Sequence, residues 1–443
     1  MTLFSKSATT AAPKGAAVEH RLFSPGTALP MFLVTALFFL WGIPNNLNDV
    51  LIRQFMKAFQ ISRFQAGLVQ SAFYLGYFLF SMPAAFLMRS AGYKAGLVTG
   101  LFLYSAGTFL FWPAATAQSY PFFLFALFVI ANGLAFLETG SSPFIAQIGD
   151  PESAERRLNF SQAFNPLGSI SGVLIGTVFI FSNVQLSTAQ VASLKASGQY
   201  SSILRAETMR VIAPYVVLGI VVLVWAILIL RTRFPRVGDE AETRPGREHG
   251  SPGELFRYPH FLFAVLAQFF YVGAQVGTWS YFISYVEDYA HESDKIAGYF
   301  LTGTLVAFAV GRFAATYLMK FISPSGLMGS YAIANVGLVL VGIVLPGWVG
   351  IWAIFLTSFF MSLMFPTIFG LGLRGLGPNT KLGGSLLVMA IIGGAVFTPA
   401  MGLVAESSKS MADAMLVPLI CYVVIAVFAF IGPRMHPPRM LHS

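Results

Sequence analysis

Residues 232–257 read TRFPRVGDEAETRPGREHGSPGELFR. The stretch holds three prolines, four glycines and many charges, with no apolar periodicity, so it reads as a linker. On either side the composition inverts. A helical membrane span needs roughly 20 mostly apolar residues. Six such runs precede the linker, near 30–58, 66–88, 95–115, 120–147, 160–183 and 212–231. Six follow it, near 259–286, 296–319, 326–346, 349–373, 384–405 and 414–432. One other polar stretch, the Ser/Gln-rich 184–211, reads as a loop. The predicted fold class is an all-α membrane protein with twelve transmembrane helices in two six-helix halves, 28–231 and 258–433. Residues 1–27 and 434–443 read as short tails.

Composition agrees with that reading. Hydrophobic residues make up 56% of the chain and charged residues only 10%, against about 25% charged in a soluble domain. Such a surface needs lipid against it. The net charge of +9 is not a nucleic-acid signal, because no basic patch interleaves with aromatics. It follows instead from Lys/Arg enrichment in cytoplasmic loops. With the termini and the even-numbered loops on one side, that side holds 18 of the 27 Lys and Arg and the other holds eight, with Arg312 inside a span. Both termini are therefore expected in the cytoplasm. The one cysteine, Cys421, lies in an apolar run and predicts neither disulfide nor metal site. Residues 1–27 contain no apolar core long enough for a signal peptide. No phosphate-cradling Gly-Lys-Ser/Thr loop, catalytic triad or metal-ligand spacing is present, so no cofactor is expected and an ATP-driven pump is disfavoured.

Six plus six spans about a cytoplasmic linker match the major facilitator architecture, in which two halves rock around a midplane site. The turn Pro83–Lys94, PAAFLMRSAGYK, resembles that superfamily's loop motif around Arg89, with Met88 at the expected Asp. A plain tight turn with cytoplasmic positive charges explains it equally well.

Polar residues inside spans are costly and mark function by default. Span 1 contains Trp41-Gly42-Ile43-Pro44-Asn45-Asn46-Leu47-Asn48-Asp49. Spacing of three to four residues puts Trp41, Asn45, Asn48 and Asp49 on one face. Lipid cannot satisfy that face, so it turns to a wet cavity or to protein. An interhelical hydrogen-bond knot is the alternative, and Asp49 argues for function. In span 4, Glu138 precedes Ser142 by one turn, and no Lys or Arg lies deep in spans 1–6 to neutralise it. Removal from bulk water disfavours a charged carboxylate, which makes Glu138 a candidate proton carrier. In span 5, Gln162, Asn165 and Ser169 share a helical face. Their amides donate and accept together, which suits vicinal hydroxyls, though helix–helix adhesion explains them too. In span 7, Gln268, Tyr271, Gln275 and Trp279 form a stripe that offers a pyranose an aromatic face and amides. Packing or interface anchoring is the alternative for Trp279. Arg312 in span 8 is expected to snorkel or to serve structure or gating.

At these residues the chain resembles the L-fucose–proton symporter (L-fucose permease) family of the major facilitator superfamily. The resemblance runs nearly end to end, through FFLWGIPNNLNDVL, FLETGSSPF, NFSQAFNPLGS, LAQFFYVGAQVGTWSY and FLTGTLVAFAVGRF. It implies a central sugar cavity with Asp49 and Glu138 tied to proton coupling. It implies Asn46, Gln162 and Asn165 as polar sugar contacts, and Trp41 and Trp279 as aromatic ones, with Gln275 beside them on the span 7 stripe. Two departures stand out. Met364-Phe365-Pro366 replaces a pattern with Tyr before Pro, and Gly140-Ser141-Ser142 replaces Ala-Ala-Asn. Related branches carry glucose, galactose or mannose, and some couple to sodium. The expected function is proton-coupled symport of a monosaccharide, L-fucose or a related hexose, by a monomer in a bacterial inner membrane. The alternatives are sodium-coupled or uncoupled hexose transport and a non-transporting sugar sensor. No soluble signalling domain supports a sensor, and no nucleophile–base or metal constellation supports an enzyme.

Overall fold

The structure, a computed structural model, describes residues 27–149, 154–182, 188–235, 252–376 and 379–435. The middle of the expected linker, 236–251, and nearly all of both expected tails lie outside the described residues. Eleven described helices are long and apolar enough to cross a membrane. One of them, Arg63–Thr116, has 54 residues, more than twice the length a crossing requires. It breaks at Gly92, where φ is 82° and ψ is 165°, a region open essentially to glycine alone. It is therefore spans 2 and 3, and among the described residues the spans number twelve. Span 1 is Ala28–Phe59, span 4 Tyr120–Gln147, span 5 Phe160–Ile180 and span 6 Tyr200–Arg231. Spans 7 to 12 are Pro259–Ala290, Asp294–Leu318, Pro324–Val344, Trp348–Leu373, Gly383–Ser408 and Met411–Arg434.

Local chemistry sets the helix ends. Ser62 and Gln65 close a capping box at the start of span 2. Ser293 and Ser323 cap spans 8 and 9 through the amides of Ile296 and Gly326. Spans 1 and 7 stop on left-handed residues, Gln60 and His291.

The expected loop 184–211 is in large part helical: Thr188–Ala196 and Tyr200–Met209 are short helices, the second leading into span 6. Its polar composition hid a tertiary anchor. Glu207, only 3% exposed, accepts hydrogen bonds from Gln54 (3.1 Å) and Ser182 (2.5 Å) and pairs with Lys57 at 3.2 Å.

Prolines within spans release backbone carbonyls four residues back, since proline has no N–H. In a membrane those carbonyls need partners from neighbouring helices. Pro44 frees the Leu40 carbonyl, which accepts from the Tyr104 hydroxyl at 3.0 Å. Pro399 frees that of Ala395, taken by the Ser71 hydroxyl at 2.6 Å. Pro366 frees that of Ser362, which accepts from Arg312 Nε at 3.4 Å. Span 10 breaks there, between Met361 and Met364. Pro166 acts likewise in span 5, whose helix stops at Gln162 and resumes at Phe164.

Span 5 crosses span 1 at backbone contact. A Cβ on Gly168 would lie 2.1 Å from the Phe39 carbonyl oxygen, and one on Gly172 2.2 Å from that of Ile43. Small residues spaced by four permit this approach. It lets Asn165 donate to the Phe38 carbonyl at 3.3 Å.

The two halves are tied together on the side away from the start of span 1 and the end of span 12. Arg53 pairs with Glu287 and, at 2.7 Å, with Asp294. Arg63 pairs with Asp288 at 2.6 Å, and its carbonyl accepts from the Tyr281 hydroxyl at 2.6 Å. Glu406 accepts from the Phe64 amide at 2.6 Å. That end of the molecule is closed.

Candidate functional site between the halves

A cavity of about 210 Å³ lies between the halves. Its first-half wall is polar. Span 1 contributes Asn45, Asn46 and Asp49, span 2 Gln70, Tyr74 and Tyr77, span 4 Glu138, and span 5 Asn165 and Ser169. The second-half wall is largely apolar, its apolar residues half aliphatic and half aromatic, and includes Tyr271, Gln275 and Trp279 from span 7, Phe308 and Arg312 from span 8, and Phe365 from span 10. Each set recurs at helical spacing, so each span turns one stripe to the cavity.

Asp49 is nearly sealed, with 2% exposure. Its Oδ1 accepts from Gln70 Nε2 at 2.9 Å and from the Ser280 hydroxyl at 2.8 Å. Its Oδ2 accepts from Asn46 Nδ2 at 3.1 Å. Glu138 is half-buried, and the Tyr77 hydroxyl reaches it as well as Asn45 Oδ1, the latter at 3.5 Å. Among the described residues neither carboxylate has an ion-pair partner. Arg312, the cation in the lining, lies over the Phe308 ring at 4.9 Å. Trp279 meets Phe308 edge-on at 5.2 Å and donates to the Ser358 hydroxyl at 3.0 Å. Its orientation is thus fixed by protein and not by a membrane interface.

Asp49, Glu138, Asn46, Asn165, Trp279, Gln275 and Arg312 are therefore brought together. Trp41 and Gln162 stand outside the lining. Trp41 is buried against Phe38, with ring centroids 4.3 Å apart, and Gln162 is exposed at the helix break before Pro166. Asn48 is fully buried in span 1, away from the cavity. Arg89 is exposed near the Gly92 break. Among residues the sequence did not single out, Gln70, Tyr74, Tyr77 and Phe308 line the cavity and Ser280 bonds Asp49. The spacing 70, 74, 77 on span 2 was a legible signal. Ser280 had none.

A family model, the Major Facilitator Superfamily, matches residues 31–381. The L-fucose-proton symporter of Escherichia coli strain K12 is 43% identical over 404 residues, covering 90% of this chain and 92% of that protein. A glucose/galactose transporter of Brucella abortus is 34% identical over 407 residues, covering 90% and 93%. The crystal structure of FucP, a major facilitator transporter in the outward conformation, is similar with a TM-score of 0.67 at 42% identity, covering 91% of this chain and 98% of that one. Since the family match takes in well over half of the sequence and the relatives align over nearly all of it, this chain belongs to the Major Facilitator Superfamily.

Proposed function

We propose that this chain is a proton-coupled symporter of a monosaccharide, L-fucose or a related hexose, working by alternating access. The observation that carries the reading is the pairing of Asp49 and Glu138 in one cavity with the amides of Asn46, Asn165 and Gln275 and the ring of Trp279. Carboxylates without a counter-ion in a site sealed from one side are suited to take up and release a proton. Amides and an aromatic face suit a neutral pyranose. The names of the relatives, L-fucose-proton symporter at 43% identity and glucose/galactose transporter at 34%, support both parts. The lysine and arginine bias supports a bacterial inner-membrane protein with both termini in the cytoplasm, and in this reading it works as a monomer. The closed end is then the outer one and the state inward-facing. FucP was captured facing outward, which accounts for the modest structural agreement at high sequence identity.

Phe365 bears on which hexose is carried within this reading. It lines the cavity where the fucose permease pattern has tyrosine, so one wall hydroxyl is missing. The alternative sugars within this reading are glucose and galactose, named for a relative at 34% identity.

The test is alkalinisation of the medium when sugar is added to de-energised cells, with fucose, glucose and galactose compared. The parent protein should give a signal. Glu138→Gln should abolish it and uphill uptake while leaving exchange of sugar for sugar. A full proton signal from Glu138→Gln removes Glu138 as carrier, and a response to sodium alone overturns the coupling ion.

A further inference from the structure

Span 1 and span 7 face each other across the seam between the halves, tied at two levels. Asp49 and Arg53 are one turn apart on span 1, and Ser280 and Glu287 two turns apart on span 7. The outer tie, Arg53 with Glu287 and Asp294, is an ion pair near the aqueous mouth. The inner tie is different in kind. The Ser280 hydroxyl, 1% exposed, donates to Asp49 Oδ1 at 2.8 Å, and Gln70 Nε2 bridges both, at 3.0 Å from Ser280 and 2.9 Å from Asp49. Ser280 belongs to the second half, whereas Asp49, Gln70 and Asn46 belong to the first. The other ionisable groups that share the cavity with Asp49 are Tyr74 and Tyr77 on span 2, Glu138 on span 4, Tyr271 on span 7 and Arg312 on span 8.

We propose that Ser280 is a positioning residue that carries the protonation state of Asp49 across the seam, so that the closed outer end is favoured by the ionised carboxylate. The inference rests on the reading of Asp49 as a coupling group. The physical reason is the unequal strength of one contact in two charge states. A hydrogen bond to an ionised acceptor is roughly twice as strong as one between neutral groups. The proton-loaded, sugar-free carrier has only the weaker inner tie and waits open. Sugar lying between the polar wall of one half and Trp279 and Gln275 of the other replaces the lost strength and permits closure. The empty, ionised carrier regains the full tie and can close and reorient without sugar. One hydroxyl thereby separates the permitted transitions from a proton leak.

The test compares two rates in proteoliposomes: exchange of sugar for sugar, which needs no empty-carrier step, and net sugar efflux, in which the empty, ionised carrier must close its outer end to return inward. Ser280→Ala should keep exchange within about threefold of the parent. Net efflux and the proton movement that accompanies it should fall about tenfold, the scale of one charge-assisted hydrogen bond. Ser280→Thr, which restores the hydroxyl, should recover much of the loss. Equal rates in parent and alanine variant overturn the proposal. So does a parallel fall of exchange and net efflux, which marks a structural role. Asp49→Asn, measured alongside, distinguishes the two readings: a full proton signal from that variant moves the coupling carboxylate elsewhere, whatever Ser280→Ala shows.

Discussion

At the scale of single residues, the cavity selects among side chains that look equivalent in sequence. Gln162 and Asn165 are three apart, and a continuous helix would put them on one face. Pro166 interrupts that helix, leaving Gln162 exposed and Asn165 in the lining. Asn165→Ala should therefore weaken sugar binding about threefold to tenfold, the value of one neutral hydrogen bond of about 0.5–1.5 kcal/mol. Gln162→Ala should change it much less. Equilibrium binding of labelled sugar to the two purified variants checks the order, and the reverse order would move the sugar toward the span 5 break. Span 1 shows the same selection. The helical projection grouped Trp41, Asn45 and Asn48 with Asp49, but the cavity takes Asn45, Asn46 and Asp49. An arc about 100° wide holds only about one position per turn, and only the neighbouring helices decide where it is centred.

At the scale of elements, span number was legible, because length and apolarity are local. The turn between spans 2 and 3 is the sharpest case. A Cβ on Gly92 would meet nothing within 4 Å, so its requirement is purely conformational. Gly92→Ala should lower stability by about 1–3 kcal/mol, the cost of holding a side chain in that backbone region. A reduced thermal midpoint of the detergent-solubilised protein measures it, and an unchanged midpoint would mean that the turn relaxes to another conformation. The stretch 184–211 was misread for the complementary reason. Its helices are held by Glu207 against Gln54, Lys57 and Ser182, partners scattered across the sequence, and no pattern within the stretch announces them.

At the scale of the whole molecule, the closed end is an electrostatic latch between halves. Arg53 and Arg63 lie in the first half, and Glu287, Asp288 and Asp294 in the second. These pairs are partly exposed, so each contributes modestly. The chain has a single cysteine, the buried Cys421, which makes access to the cavity measurable. In a Cys421→Ser background carrying Gln275→Cys, adding Arg53→Ala should speed labelling by an impermeant thiol reagent from outside about twofold to tenfold. No acceleration would assign closure to the apolar packing of the seam. Labelling only from the opposite side of the membrane would reverse the orientation.

By itself the sequence determined that this chain lies in a membrane, that it crosses twelve times in two sets of six, and that Asp49 and Glu138 are its conspicuous intramembrane carboxylates. Those properties follow from the cost of leaving charge or unpaired backbone in lipid, which acts on each span separately. Only the tertiary structure decided which end is closed, that Trp41 packs while Trp279 lines the cavity, and that Ser280 of the second half completes the shell of Asp49 in the first. Each of these depends on how two helices distant in sequence are placed side by side. A serine in an apolar run looks the same in sequence whether it faces its own backbone or a carboxylate 231 residues away.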